Sequence, residues 1–103
     1  MVIEIGMNNM NGDQISVRRV VLDVLKPLQP NALEFARQVS GAAKGCQVKV
    51  RVVEVDSQTE SLMVEISGNF VPVDDVITMI RDSGATVHSI DEVEAVNHES
   101  TQD

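Results

Sequence analysis

Residues 46–67 read Cys46-Gln-Val-Lys-Val-Arg-Val-Val-Glu-Val-Asp-Ser-Gln-Thr-Glu-Ser-Leu-Met-Val-Glu-Ile-Ser67. Apolar side chains recur at alternate positions on both sides of a polar tetrapeptide, Asp56-Ser-Gln-Thr59. A strand with one buried face requires that period of two, and a short polar break between two such runs is the signature of a hairpin. The stretch therefore predicts two antiparallel strands, 46–55 and 60–67. Val48, Val50, Val52, Leu62, Val64 and Ile66 share the core face; Lys49, Arg51, Val53, Met63 and Glu65 share the other.

Working outward, the segment Ile15–Leu25 alternates in the same way, with Val20, Leu22 and Val24 opposite Arg19, Val21 and Asp23, and it ends at Lys26-Pro27 because proline cannot donate to a ladder. Asn31 offers an N-cap oxygen, and Ala32, Phe35, Ala36 and Val39 follow at helical spacing until Gly41 and Gly45 break the pattern. Downstream, Pro72 opens a second helix with Val73, Val76, Ile77 and Ile80 on one stripe. Asp74 and Asp75 in its first turn and Arg81 in its last suit the helix dipole, and Gly84 supplies the stop. A last strand begins near Thr86 and reaches Val93 or beyond, with ambiguous alternation.

The order β-α-β-β-α-β, with right-handed crossovers, predicts an α+β ferredoxin-like two-layer sandwich whose four-stranded antiparallel sheet has the order 4-1-3-2. The expected organisation is a flexible N-terminal arm over 1–14, one domain over 15–96 and a loose polar tail over 97–103.

Composition narrows the function classes. The net charge is −8, from 16 acidic against 8 basic residues, and the only aromatics are Phe35 and Phe70. A surface of that sign repels a phosphate backbone, and strands without aromatics lack the platforms on which RNA bases stack, so nucleic acid is an unfavoured partner. No apolar run approaches the ~18 residues needed to cross a bilayer, which argues against a membrane partner. One cysteine, Cys46, allows neither an intrachain disulfide nor a cysteine-cluster metal site, and a reducing cytoplasm is the expected compartment.

The topology gathers polar residues at one end of the sheet, where the first strand ends, the hairpin turns and the last strand starts. Asp23, Asp56, Glu60 and Asp91 converge there as oxygen donors of the kind that hold a hard cation such as Ca²⁺ or Mg²⁺. Lys26, Thr59, His88 and Ser89 complete the rim as candidate contacts for a small ligand. The simpler reading has Asp56 capping its own turn and Asp23 paired with a nearby cation. A lone His88 lacks the companion ligands zinc needs, Cys46 has no activating neighbour, and no catalytic residue is assigned. The sheet face away from the helices mixes apolar groups with opposite charges and suits a self-complementary interface. The expected protein is a cytoplasmic homo-oligomeric module, regulatory or scaffolding, with a rim for a small ligand or divalent cation. The alternative is a small enzyme with an intersubunit acid/base site around His88.

Three segments, Arg18-Arg-Val-Val-Leu-Asp-Val-Leu-Lys-Pro27, Val53-Glu-Val-Asp-Ser-Gln-Thr-Glu60 and His88-Ser-Ile-Asp-Glu-Val93, resemble in order and spacing the hallmark segments of the archaeal family known as domain of unknown function 211. The resemblance spans roughly residues 15–96. It implies a small ferredoxin-like domain in ring-like or other multi-subunit assemblies, and brings no enzymatic activity with it. The longer N-terminal arm and the short acidic tail depart from the family pattern.

Overall fold

The computed structural model describes residues 14–99. Six elements follow one another: β1 (Ile15–Pro27), α1 (Ala32–Ala42), β2 (Gln47–Val55), β3 (Thr59–Ser67), α2 (Val73–Asp82) and β4 (Thr86–Asn97). They form one antiparallel sheet in the order β2-β3-β1-β4, which is the expected 4-1-3-2 order, with β2 and β4 as its two edges.

Both helices lie on one face. Asn31 caps α1 by accepting the Glu34 amide at 2.9 Å, and Phe35 and Val39, one turn apart, are buried beneath it. Val76 and Ile80 do the same for α2, which Gly84 terminates at φ +93°, a conformation that only glycine adopts at little cost. These residues close on Val20, Leu22, Val24, Leu62, Val64 and Ile66, all at most 1% exposed. Burying one such aliphatic side chain contributes roughly 1.5–3 kcal/mol. Val48 and Val50 join this core only partly, and Val52, expected to face it, is 41% exposed because edge strand β2 runs past the cover of the helices.

Four register shifts interrupt the ladders, each leaving one extra residue on a strand. Val17 faces Ala95 and Arg19 faces Glu94, so Arg18 is extra on β1. By the same comparison Asp91 and His88 are extra on β4, and Val53 on β2. These bulges explain why the last strand shows no clean alternation in sequence.

Val21 was expected on the open face among charges, yet it is only 7% exposed. Its partners on the flanking strands are Glu65 and Glu92, and the Arg19 guanidinium, two residues away, pairs with both carboxylates. An ionic bridge thus runs across β3, β1 and β4 beside Val21.

The expected arm over 1–14 lies outside the described residues except for Gln14, whose carbonyl accepts the His98 amide at 2.6 Å. Of the expected tail 97–103, Asn97 belongs to β4 and the His98 ring lies 3.0 Å from Ser16 Oγ; residues 100–103 lie outside the described residues.

Candidate functional site

The rim is built where β1 ends, the β2–β3 hairpin turns and β4 starts; Lys26 pairs in register with Glu60, Pro27 with Thr59 and Leu25 with Thr86. Along β1 the inward parity runs Val20, Leu22, Val24, Lys26, and along β3 it runs Ile66, Val64, Leu62, Glu60. The two inward stripes therefore end in opposite charges.

Lys26 is accordingly turned into the protein and is 1% exposed. Its ammonium donates to the carbonyls of Pro27 (2.8 Å), Leu28 (3.3 Å) and Pro30, closing the loop from β1 to α1. Glu60 Oε1 stands 2.8 Å from Nζ but accepts no aligned hydrogen bond, so it acts as the counter-charge while the carbonyls take the N–H groups. A lysine held this way positions a loop. It is not presented to a ligand from solvent.

Asp56 and Thr59 are joined within the hairpin turn. Asp56 Oδ1 accepts the amides of Gln58 (2.9 Å) and Thr59 (2.8 Å), and the Thr59 hydroxyl donates to the same carboxylate. Those amides hold the Asp56 carboxyl below its ordinary pKa, because they stabilise its ionised form. Asp23, further along β1, lies opposite Ser89, whose hydroxyl donates to Asp91 Oδ1 at 2.6 Å. His88 and Asp91 are the two bulge residues of β4, and both are exposed. The eight candidates thus resolve into three groups: Lys26 with Glu60, Asp56 with Thr59, and Asp23 with Ser89 and Asp91 beside the bulged His88.

Among the described residues no three His, Cys, Asp or Glu side chains come together as a cation cage would require. Asp23 and Asp91 offer two carboxylates on either side of Ser89; further ligands would have to come from another molecule. Cys46 is half-buried with Sγ 3.3 Å from the Phe70 carbonyl, and desolvation pushes its thiol up, away from the thiolate a nucleophile needs.

Sequence reasoning did not find the ion-pair bridge on the open face. The Arg19 Nε donates to Glu65 at 2.7 Å and its Nη1 to Glu92. These hydrogen bonds and charges lower the Glu65 pKa and raise that of Arg19. Around the bridge the charges divide. Lys49 and Arg51 stand on edge strand β2, and Asp91, Glu92 and Glu94 on edge strand β4.

The three motif segments each have a place in this geometry: the lysine clamp, the aspartate-capped hairpin and the bulged strand. The sequence pattern of the domain of unknown function 211 family, described as uncharacterized ArCR proteins, matches residues 18–100. The chain belongs to that family. An uncharacterized protein of Methanocaldococcus jannaschii, MJ0319, is 40% identical over 86 residues, spanning 84% of each chain. For this member of the domain of unknown function 211 family, the fold expected from the resemblance is the one observed. No helix among the described residues is long and apolar enough to cross a membrane.

Proposed function

We propose that the protein is a homo-oligomeric module that assembles by extending its sheet, with edge strand β2 of one copy beside edge strand β4 of the next. The observation that carries this reading is the complementarity of the two edges. On the open face Lys49 and Arg51 line β2, whereas Asp91, Glu92 and Glu94 line β4. Exposed apolar groups lie on the opposite, helix-side face of the same two edges: Val52 and Val55 on β2, Ile90 and Val93 on β4. β2 runs parallel to β1 and β4 antiparallel to it, so a copy added in the plane of the sheet meets its neighbour in antiparallel register. Pairing β4 with β4 would set carboxylates against carboxylates, and β2 with β2 cations against cations; charge favours the unlike pairing. Unpaired, a strand as long as β4 with exposed Ile90 and Val93 is an association hazard.

In this reading the module is regulatory or scaffolding. A small ligand or a Ca²⁺ or Mg²⁺ ion would sit between copies, where Asp23 and Asp91 supply two carboxylates and the neighbour the remainder. Light scattering after size exclusion tests the assembly. The wild-type protein is expected to be a multimer. Lys49→Glu with Arg51→Glu should dissociate it, and mixing that variant with Asp91→Lys, Glu94→Lys protein should restore association. A wild-type monomer at high micromolar concentration would sink the proposal.

A further inference from the structure

Both helices cover one face of the sheet, and the other face of all four strands is left open. The ladders set its side chains in rows that cross from β2 through β3 and β1 to β4. Lys49, Glu65, Val21 and Glu92 form one such row. Arg51, Met63, Asp23 and Ser89 form the next. Apolar groups hold the middle of the face: on β1 Val21 is 7% and Leu25 39% exposed, and Met63 beside them on β3 is half-buried. A neighbour added in the plane of the sheet covers the edge strands and leaves this middle bare.

We propose that the open face is closed by the same face of a second copy, related to the first by a twofold axis running along the strands. Two like faces can close about an axis along the strands or about one across them, and charge separates the two cases. An axis along the strands lays β2 on β4 and β3 on β1 of the facing copy, and keeps each row opposite itself. Lys49 then faces Glu92, Arg51 faces Ser89 next to the bulged Asp91, and Met63 lies over β1 between Val21 and Leu25. Glu54, the remaining charge on the open side of β2, meets Thr86 and no like charge. An axis across the strands would lay β2 on β2 and β4 on β4, cations against cations and carboxylates against carboxylates. The ionic bridge points the same way. One guanidinium, Arg19, serves both Glu65 and Glu92, so one negative charge is left over, and Lys49 of the facing copy is placed to match it. Four strands about 4.8 Å apart, rising about 3.3 Å per residue, give a face roughly 19 Å by 30 Å. Two such faces in contact remove at least about 1,100 Å² from solvent, above the roughly 1,000 Å² that a specific interface needs. This contact is separate from the edge pairing and does not depend on it.

The protein contains no Trp or Tyr, so Met63→Trp puts a single fluorescent reporter in the middle of the face. Emission and acrylamide quenching are read from nanomolar to high micromolar concentration, with light scattering alongside. Concentrated Met63→Trp protein should emit to the blue and be quenched severalfold less than the diluted protein. Adding Leu25→Glu should expose the reporter at every concentration and halve the mass of the particle. Adding Lys49→Glu and Arg51→Glu should expose it as well; shielding that is unchanged by this charge reversal overturns the axis along the strands. A reporter that is exposed at all concentrations overturns the proposal, and a multimer persisting under those conditions leaves the edge pairing standing alone. Blue emission that survives both dilution and Leu25→Glu also overturns it, because the shielding then arises within one copy. The dilution series on Met63→Trp alone decides the matter should Leu25→Glu fail to fold.

Discussion

Replacing Lys26 by methionine keeps the length and apolar stem of the side chain but removes a charge that is 1% exposed. Three consequences add. The carbonyls of Pro27, Leu28 and Pro30 lose their donor, Glu60 loses its counter-ion at 2.8 Å, and the loop between β1 and α1 loses the group that draws it in. Breaking a buried ion pair by removing one partner costs about 3–5 kcal/mol. Against a total stability of about 5–15 kcal/mol for a small domain, that is a large share. In urea melts Lys26→Met should lower the midpoint at nearly unchanged slope, and the thermal midpoint should fall by roughly 10–30 °C. Adding Glu60→Leu removes the stranded carboxylate and should recover part of the loss, because two apolar groups replace a half-broken pair. A loss below about 1 kcal/mol in the single variant would refute the reasoning, since Lys26 would then be no more than a surface group.

Asp56→Ala removes the acceptor that caps the hairpin. A carboxyl whose pKa is depressed by folding contributes stability above its unfolded value and loses it as pH falls through the folded one. The variant should therefore melt earlier than wild type at neutral pH, and the gap should close in acid; a gap that is constant with pH contradicts the cap. Gly84→Ala and Gly41→Ala should act with opposite sign, although neither added methyl meets an atom within 4 Å. At Gly84 the φ of +93° costs about 1–2 kcal/mol, whereas within α1 the Gly41 substitution stabilises by about 0.5–1 kcal/mol in thermal melts. Cys46 should react slowly with a thiol reagent at neutral pH and much faster in urea, because its burial raises the thiol; fast reaction in the native state contradicts that environment.

The fold was legible because its regular parts obey simple periods. Val20, Leu22 and Val24 repeat by two, Val76 and Ile80 by one helical turn, and the Asn31 cap and Gly84 stop are local chemistry. The bulges were not legible: an extra residue such as His88 or Asp91 blurs alternation without announcing which residue is surplus. The rim follows from topology, but the inward turn of Lys26 onto Glu60 was not read from the sequence. The signal was present, since Lys26 continues the inward stripe of β1 and Glu60 that of β3, and two opposite charges at the ends of facing apolar stripes are placed to meet. The Arg19 bridge to Glu65 and Glu92 depends on side-chain reach across three strands, which no single-strand pattern encodes.

The bulges of β4 have a consequence for the chain's tolerance of length change. In an ordinary strand the deletion of one residue inverts every side chain beyond it. In β4 the deletion of Asp91 would bring Ile90 next to Glu92, joining Leu22 and Val21 to consecutive partners while Val93 stays opposite Val20. The same holds for His88, between Val87 and Ser89. The strand therefore carries two residues that pairing could do without, and what they set is its curvature and local twist.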